Sequence, residues 1–563
     1  MELIYLWVEE YKNIHEQGFN FSSKFHCHYD GETLTIKENI DKKGNKQYIE
    51  NFFGDNINVT AIVGKNGSGK SNLLEILFYK TRHRYKNKIT FFIVFFEGEY
   101  YLYFFKSGGL ALKKKIKMNS SINIKLIEET IDAKESITEY DYLSIFYSNF
   151  QEMPYSFNNE EESFIDISTS YLTKIRNRQT FSINNVLRML EDTSINLPIN
   201  MPSHLLIELN CKYIGDNPIS RKFGKLEHTL SDINDIYFYH FIAELLYQYY
   251  KKMKISDEEI DEIDSFEALY ELFRKKFDRA SFDKLYKIID IIKDVPVEDN
   301  LEIKLSIKSD SKIIDEIVNT INSLNNLFSL RFDVFRFKFD IKMSTGEEVF
   351  LFQFANIYDS LFNGYSSDNI VILIDEGETT FHPQWQKEYL SYLIYFLSKN
   401  FSEKKFHLIL TSHSPFLLSD IPKQNIIFLE NGEQVNGIDK EQTFGANIHT
   451  LLSDSFFMKD GLMGEFAKGK IMQIKKFHQK VLKYKENEKI KQKYKCFYEK
   501  KQKEFEQIQS IIGEPFLKTV IKNYLDEIEN ILFDDAKVKK MAIKRFIDEF
   551  GEDFVSEVLN DKA

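Results

Sequence analysis

Cysteine is scarce in this 563-residue chain: there are three, Cys27, Cys211 and Cys496, far apart from one another. That argues against a disulfide frame and for reduced thiols in a cytoplasmic protein. Long apolar runs are missing as well. The richest, Ile89 to Phe96, is strand-sized and falls far short of the ~20 residues that cross a bilayer, so no membrane role is expected. The first residues hold Glu2, Glu9 and Glu10 among apolar neighbours, which is not the basic-then-apolar profile of a secretory leader. A surplus of basic charge is lacking too: 74 Lys and Arg face 86 Asp and Glu, for a net charge of -12. Any contact with nucleic acid must then come from a local patch. No internal repeat or low-complexity linker occurs, and the lack of a sustained heptad excludes a long coiled coil. His26-Cys27-His28 has no second Cys/His pair at ligand spacing and reads as ordinary strand or turn.

What is present is chain enough for roughly two to four domains, organised around Asn58 to Asn72. There a β-favouring run, Asn58-Val59-Thr60-Ala61-Ile62-Val63, breaks into Gly64-Lys65-Asn66-Gly67-Ser68-Gly69-Lys70-Ser71-Asn72 and then into the helix-like Leu73-Leu74-Glu75-Ile76-Leu77. Gly64, Gly69, Lys70 and Ser71 fit G-x-x-x-x-G-K-[ST] in its required strand–helix context. Successive N–H groups at a helix start favour phosphate, and glycines let the main chain come close. Lys70 is expected to reach the β and γ phosphates of ATP, and the Ser71 hydroxyl to take a position on Mg2+.

Residues 1–63 read as β-rich, and Ile89 to Phe105 reads as a hairpin of two aromatic runs around Glu97-Gly98-Glu99. From about Tyr155 to Asn300 the spacing becomes helical, and the acidic run from Asp257 to Asp264 reads as a solvated helix face or, more weakly, a docking surface. Alternating strands return at Leu301 to Ile307 and Arg331 to Ile341. Met343-Ser344-Thr345-Gly346-Glu347 follows. Ser344 and Glu347 form a capping-box pattern at a helix start, which serves either as a cap alone or as an anion-facing N-terminus.

Asn369 to Glu376, NIVILIDE, is a continuous apolar run closed by two carboxylates, as expected of a buried parallel strand that opens on a site. Asp375 is placed to hold the Mg2+ shell, and Glu376 to deprotonate the attacking water. Phe406 to Pro415, FHLILTSHSP, is another buried strand, with His413 at its carboxyl end.

The order GKNGSGKS, MSTGE, ILIDEGETTFHP, TSHSP resembles the ABC-type ATPases of the SMC-like and overcoming-lysogenization-defect groups. The resemblance implies an α/β fold: an ABC-type P-loop ATPase head, with a mixed β-sheet, flanking helices and an antiparallel β lobe, split by a helical insertion and followed by a helical C-terminal domain. It divides the chain into 1–155 (Walker A half of the head), 156–300 (insertion), 301–435 (signature, Walker B and switch histidine) and 436–563 (C-terminal domain for assembly or partner binding). It implies ATP contacts at Gly64, Lys65, Asn66, Gly67, Ser68, Gly69, Lys70, Ser71 and Asn72, with Lys70, Glu376 and His413 catalytic. Ser71, Asp375 and Gln151 are the implied metal contacts, Gln151 or Asn149 serving as the glutamine-loop residue. The signature Ser344, Thr345, Gly346 and Glu347 acts on the nucleotide of another copy, so a dimer or higher oligomer is implied. The signature has Met343 and Thr345 where Leu and Ser or Gly are common, and Gly377 stands where proline often follows the acidic pair.

The tail decides between partners. Thr443-Phe444-Gly445-Ala446-Asn447-Ile448-His449 and Gly464-Glu465-Phe466-Ala467 resemble the PtuA ATPases of Septu-type anti-phage systems, which work with a separate HNH nuclease, PtuB. A TOPRIM-type nuclease in cis would need a later D-x-D pair, which is missing, and Glu430 reads as the end of the last head strand. Residues 468–503 carry fourteen lysines against Glu486, Glu488 and Glu499, interleaved with Phe477, Tyr484, Tyr494, Phe497 and Tyr498. That run suits either a basic nucleic-acid surface with aromatic platforms, a solvated helix with a buried aromatic side, or docking to an acidic partner. An SMC-like DNA-binding repair ATPase and an ATPase-nuclease of the overcoming-lysogenization-defect type stand as alternatives.

Overall fold

A computed structural model describes residues 1–41, 43–79, 89–96, 99–106, 117–120, 122–130, 142–149, 164–169, 178–192, 195, 197–210, 214, 218–227, 231–250, 255–263, 266–276, 279–298, 301–328, 334–363, 367–435, 442–449, 451 and 463–550. In chain order, its first part runs β1 (Glu2–Tyr11), β2 (Ile14–Asn20), β3 (Phe25–Tyr29), β4 (Thr33–Glu38), β5 (Ile57–Gly64), α1 (Lys70–Tyr79), β6 (Ile89–Phe96), β7 (Glu99–Lys106), β8 (Lys117–Ser120), β9 (Ile124–Thr130) and β10 (Tyr142–Ser148). The middle holds β11 (Phe164–Asp166), α2 (Arg178–Glu191), β12 (His204–Leu209), α3 (Pro218–Glu227), α4 (Ile233–Tyr250), α5 (Asp257–Asp261), α6 (Phe266–Lys276), α7 (Arg279–Asp294), β13 (Glu302–Ser306), α8 (Ser311–Phe328) and β14 (Phe335–Phe339). Then come α9 (Thr345–Asn363), β15 (Asn369–Asp375), α10 (Pro383–Asn400), β16 (Lys405–Thr411), α11 (Pro415–Ser419), β17 (Ile426–Glu430) and β18 (Glu433–Val435). The last helices are α12 (Glu465–Lys483), α13 (Glu488–Ser510), α14 (Pro515–Leu532) and α15 (Asp535–Phe550).

The strand that ends in the P-loop lies inside a seven-stranded sheet of order β11-β10-β15-β16-β5-β17-β18. All its pairings are parallel except β17 with β18. A parallel sheet covered on both faces needs apolar side chains at successive positions. On β15, Ile370, Ile372 and Ile374 enter one core with α9 and α10, whereas Val371 and Leu373 enter another with Leu73 and Leu74 of α1. This two-sided burial is why Asn369 to Ile374 reads as an unbroken run rather than an alternating one.

A five-stranded sheet, β2-β1-β6-β7-β9, covers α1 from the other side, and β6 and β7 form the expected hairpin. Leu3, Leu6 and Val8 of β1 join the α1 core, and Ile4, Tyr5 and Trp7 pack with Cys27, Leu34 and Ile36 of the small sheet β3-β4-β8. His26 and His28 are exposed on β3 while Cys27 turns inward, and the described residues contain no group of His, Cys, Asp or Glu able to hold a metal ion. No described helix is long and apolar enough to cross a membrane.

The insertion differs from the helical reading. β12 stands within residues 156–300, and it pairs antiparallel with both β13 and β14. The strands after Leu301 therefore close on the insertion and not on the head sheet. Only Leu205 and Ile207 of β12 are buried, so its alternation is too short to stand out among helical neighbours.

The chain divides into two compact units, Met1–Lys459 and Asp460–Ala563, and not at residue 435. The reason lies in Thr443 to Leu451. Thr443 donates its hydroxyl to the Ile421 carbonyl (2.5 Å), the Gly445 N–H bonds to Ser419 (2.8 Å), and Leu451 joins the large core. In the second unit, α12, α13 and α14 surround a core of Ile474, Val481, Tyr498, Phe505, Ile521, Leu525 and Ile528.

Candidate nucleotide site

The carboxyl ends of four strands line up: Ser148 of β10 is in register with Asp375 of β15, Asp375 with Thr411 of β16, and Thr411 with Ile62 of β5. The polar residues that close β10, β15 and β16, namely Ser148, Asp375 and Thr411, therefore arrive at one edge beside β5. The P-loop leaves β5 there. A Cβ on Gly64 would come within 2.4 Å of both the Leu429 carbonyl and Ser68 Oγ, and Gly67 and Gly69 hold φ of 78° and 108°. Bulkier residues cannot follow this path.

Lys70 begins α1 with its side chain only 6% exposed. Its ammonium donates to the carbonyls of Gly64 (3.1 Å) and Lys65 (3.4 Å) and lies 2.9 Å from His413 Nε2. Burial lowers its pKa, an effect that Glu376 and Asp375 oppose. Ser71 donates its hydroxyl to Asp375 Oδ2 (3.0 Å), and Thr411 donates to Asp375 Oδ1 (2.5 Å). Burial raises the Asp375 carboxyl, and these two hydroxyls pull it back.

Glu376 sits at φ 51°, a conformation that costs a non-glycine residue about 1–3 kcal/mol. Its N–H is held by the carbonyl (3.2 Å) and hydroxyl (3.0 Å) of Thr411. The turn aims the carboxylate at His413, with Oε1 3.2 Å from Nε2, and at Lys70, 4.0 Å away. The hydrogen bond with His413 is the main cause that lowers the Glu376 pKa, which keeps the group ionised, as a base must be.

The residues fit a magnesium nucleotide. Ser68 Oγ is buried without a partner among the described residues, inside a loop whose glycines bring the backbone close. Ser71 and Asp375 offer two oxygens, too few to cage a metal alone but the usual share for Mg2+ completed by phosphates. Gln151 lies outside the described residues. Asn149, its alternative, accepts from the Tyr147 hydroxyl (2.5 Å) and donates to the Gly377 carbonyl (3.4 Å). Lys65, Asn66 and Gly67 are exposed, and Asn72 donates to Asn13 (2.7 Å).

At the start of α9 the capping box is formed: the Ser344 N–H bonds to Glu347 Oε2 (2.7 Å) and the Glu347 N–H to Ser344 Oγ (3.3 Å). Ser344 and Thr345 are exposed. The Gly346 position is close-packed, since a Cβ there would meet the Thr380 carbonyl at 3.2 Å. Ser344 and Thr345 thus lie on the surface and Gly346 and Glu347 are half-buried, and none of the four bonds to the chain's own P-loop among the described residues.

Several residues escaped the sequence reading. The β1–β2 turn lies on the P-loop: Asn13 donates to the Gly67 carbonyl (3.2 Å), and Lys12 pairs with buried Glu75 of α1 (2.5 Å). Gly432 donates its N–H to the Ser68 carbonyl (2.8 Å). Only Thr411 carried a signal, as a hydroxyl closing a buried strand.

In the second unit, Phe477 and Tyr498 are buried and stack on each other (6.1 Å), Tyr494 packs beside them, and Phe497 is exposed. The aromatics thus mostly build the core, because the lysines between them take the opposite face, and they do not form an outward platform. Lys470 and Lys501 pair with Glu504, and Lys491 with Glu488.

Residues 59–238 match a protein-family model described as "AAA domain, putative AbiEii toxin, Type IV TA system". No curated protein matches the chain. The matched stretch begins in β5 and carries the whole P-loop, and with the geometry above it supports reading this part of the chain as a P-loop ATPase domain of the AAA kind.

Proposed function

We propose that the protein is an ATP hydrolase whose sites are completed by a second copy, and that it uses head closure to hold and gate a separate HNH nuclease in anti-phage defence. The observation that carries hydrolysis is the meeting of Lys70, Glu376 and His413 within 4.0 Å of one another beside the Ser71–Asp375 pair. The loop amides and Lys70 bind phosphate. Ser71 and Asp375 would hold Mg2+, which when bound offsets charge on the phosphates. Glu376 takes the proton of the attacking water. His413 has one Nε2 for two neighbours, so it accepts from Lys70 or donates to Glu376 but cannot do both.

The exposed start of α9 supports completion in trans, since a helix N-terminus suits phosphate. Chains with Lys70→Ala and with Ser344→Arg are each expected to be inactive. An equal mixture is expected to regain about a quarter of the wild-type rate, because half the dimers then hold one intact site. Phosphate release measured on the mixture tests this, and full activity in a strict monomer would overturn it.

The nuclease partner rests on the tail resemblance, and the toxin–antitoxin wording of the matching family is in keeping with a defence role. The purified chain is expected to leave DNA uncut with Mg2+ or Mn2+ and to support cutting only with an HNH subunit present. Cutting by the chain alone would overturn that division of labour. A second reading, a DNA-binding repair ATPase, is favoured by Lys475, Lys476, Lys480, Lys489 and Lys493, which are exposed and make no ion pair among the described residues.

A further inference from the structure

A third carboxylate follows the acidic pair and takes no part in the scheme above. Glu378 is 3% exposed, and no lysine or arginine bonds to it among the described residues. Burial pushes its carboxyl up to about 7. A buried carboxyl without a cation is costly, so a merely filling role would be better served by an apolar side chain.

Its one side-chain partner among the described residues is Ser412, which donates its hydroxyl to Glu378 Oε1. Ser412 is itself fully buried, and its Oγ accepts the Ser414 N–H (2.8 Å). Ser414 in turn donates its hydroxyl to Gln386 Oε1 of α10 (3.0 Å). Both neighbours of His413 are thus pinned, one by Glu378 directly and the other through the same Ser412 oxygen. At its other end, Glu378 belongs to the turn that aims Glu376, closed by Thr379 donating its hydroxyl to the Glu376 carbonyl (2.6 Å) and by the Phe381 N–H on the Glu378 carbonyl (2.9 Å).

We propose that Glu378 is a positioning residue for hydrolysis: through Ser412 it fixes the turn that holds His413 Nε2 between Lys70 and Glu376. The assignment rests on the ATPase reading. The hydroxyl of Ser412 has one proton to give and gives it to Glu378, so glutamine at 378, whose amide oxygen still accepts, preserves the link and alanine breaks it.

Glu378→Ala and Ser412→Ala are each expected to lower kcat about ten-fold or more with KM for ATP within about two-fold, and Glu378→Gln to restore most of kcat. In a His413→Ala background, Glu378→Ala is expected to add little further loss, a non-additivity that a purely structural residue would not show. Thermal melting checks that each variant is folded, and Ser412→Ala, the smaller change, carries the test if Glu378→Ala does not fold. Unchanged kcat in folded Glu378→Ala, equal loss in the Ala and Gln variants, or full additivity with His413→Ala overturns the proposal. Glu376→Gln is the control: if it too leaves turnover intact, the ATPase reading fails instead.

Discussion

Glu376→Gln is expected to keep ATP bound while turnover falls by about 10²–10⁴-fold, the usual contribution of a general base. The substitution keeps the size of the side chain, and glutamine tolerates the same backbone, so the turn held by Thr411 should survive. What goes is the negative charge that takes the proton. Removing that charge also removes repulsion toward a bound triphosphate, so affinity should hold or rise. Asp375 and Ser71 are untouched, which separates this variant from one that loses the metal-facing oxygens. Phosphate release together with nucleotide retained through gel filtration checks both halves of the result. An unchanged rate would sink the assignment of Glu376 as base.

Lys70→Ala is expected to act on binding before chemistry. A hydrogen bond from a charged group is worth about 1.5–3 kcal/mol, so Kd for ATP should rise by about 10–150-fold. The side chain is desolvated and rests on the Gly64 and Lys65 carbonyls beside His413, so its ammonium is already where the loop turns. Alanine there leaves the Gly67 and Gly69 geometry intact, and some affinity from backbone amides should remain. Titration with a non-hydrolysable ATP analogue measures the change. Wild-type affinity would show that phosphate is held elsewhere.

The site was legible where a single strand carried its own signal. β15 and β16 are buried on both faces, so Asp375 and Thr411 stand out as the polar ends of largely apolar runs, and β5 leads straight into the glycine-rich G-x-x-x-x-G-K-S pattern. Asp375 and Glu376 could be named from such a run, Lys70 from the glycine-rich pattern, and His413 from the order of the motifs taken together. What stayed hidden depends on contacts between distant segments. Asn13 reaches Gly67 across 54 residues, and Ser412 reaches Glu378 across 34; neither pairing has a local pattern. The strand β12 hid because only two of its residues are buried. The boundary at Lys459 hid because Thr443 and Gly445 attach to the first unit by bonds to Ile421 and Ser419 carbonyls, which leave no trace in composition. The lysine-rich tail was ambiguous because the side to which its aromatics turn is set by packing among α12, α13 and α14.

The helix α9 has an outcome of its own. Its first turn, with Ser344 and Thr345 exposed, lies about 14 Å, nine residues at the helical rise, from Gln353, which is wedged against the acidic turn. There Gln353 donates to the Tyr389 hydroxyl (2.5 Å), and a Cβ on Gly377 would lie 2.8 Å from both groups. A buried helix is stiff over that length, and Gly377 leaves no slack. One continuous helix thus joins the exposed Ser344 and Thr345 to the residues that flank Glu376.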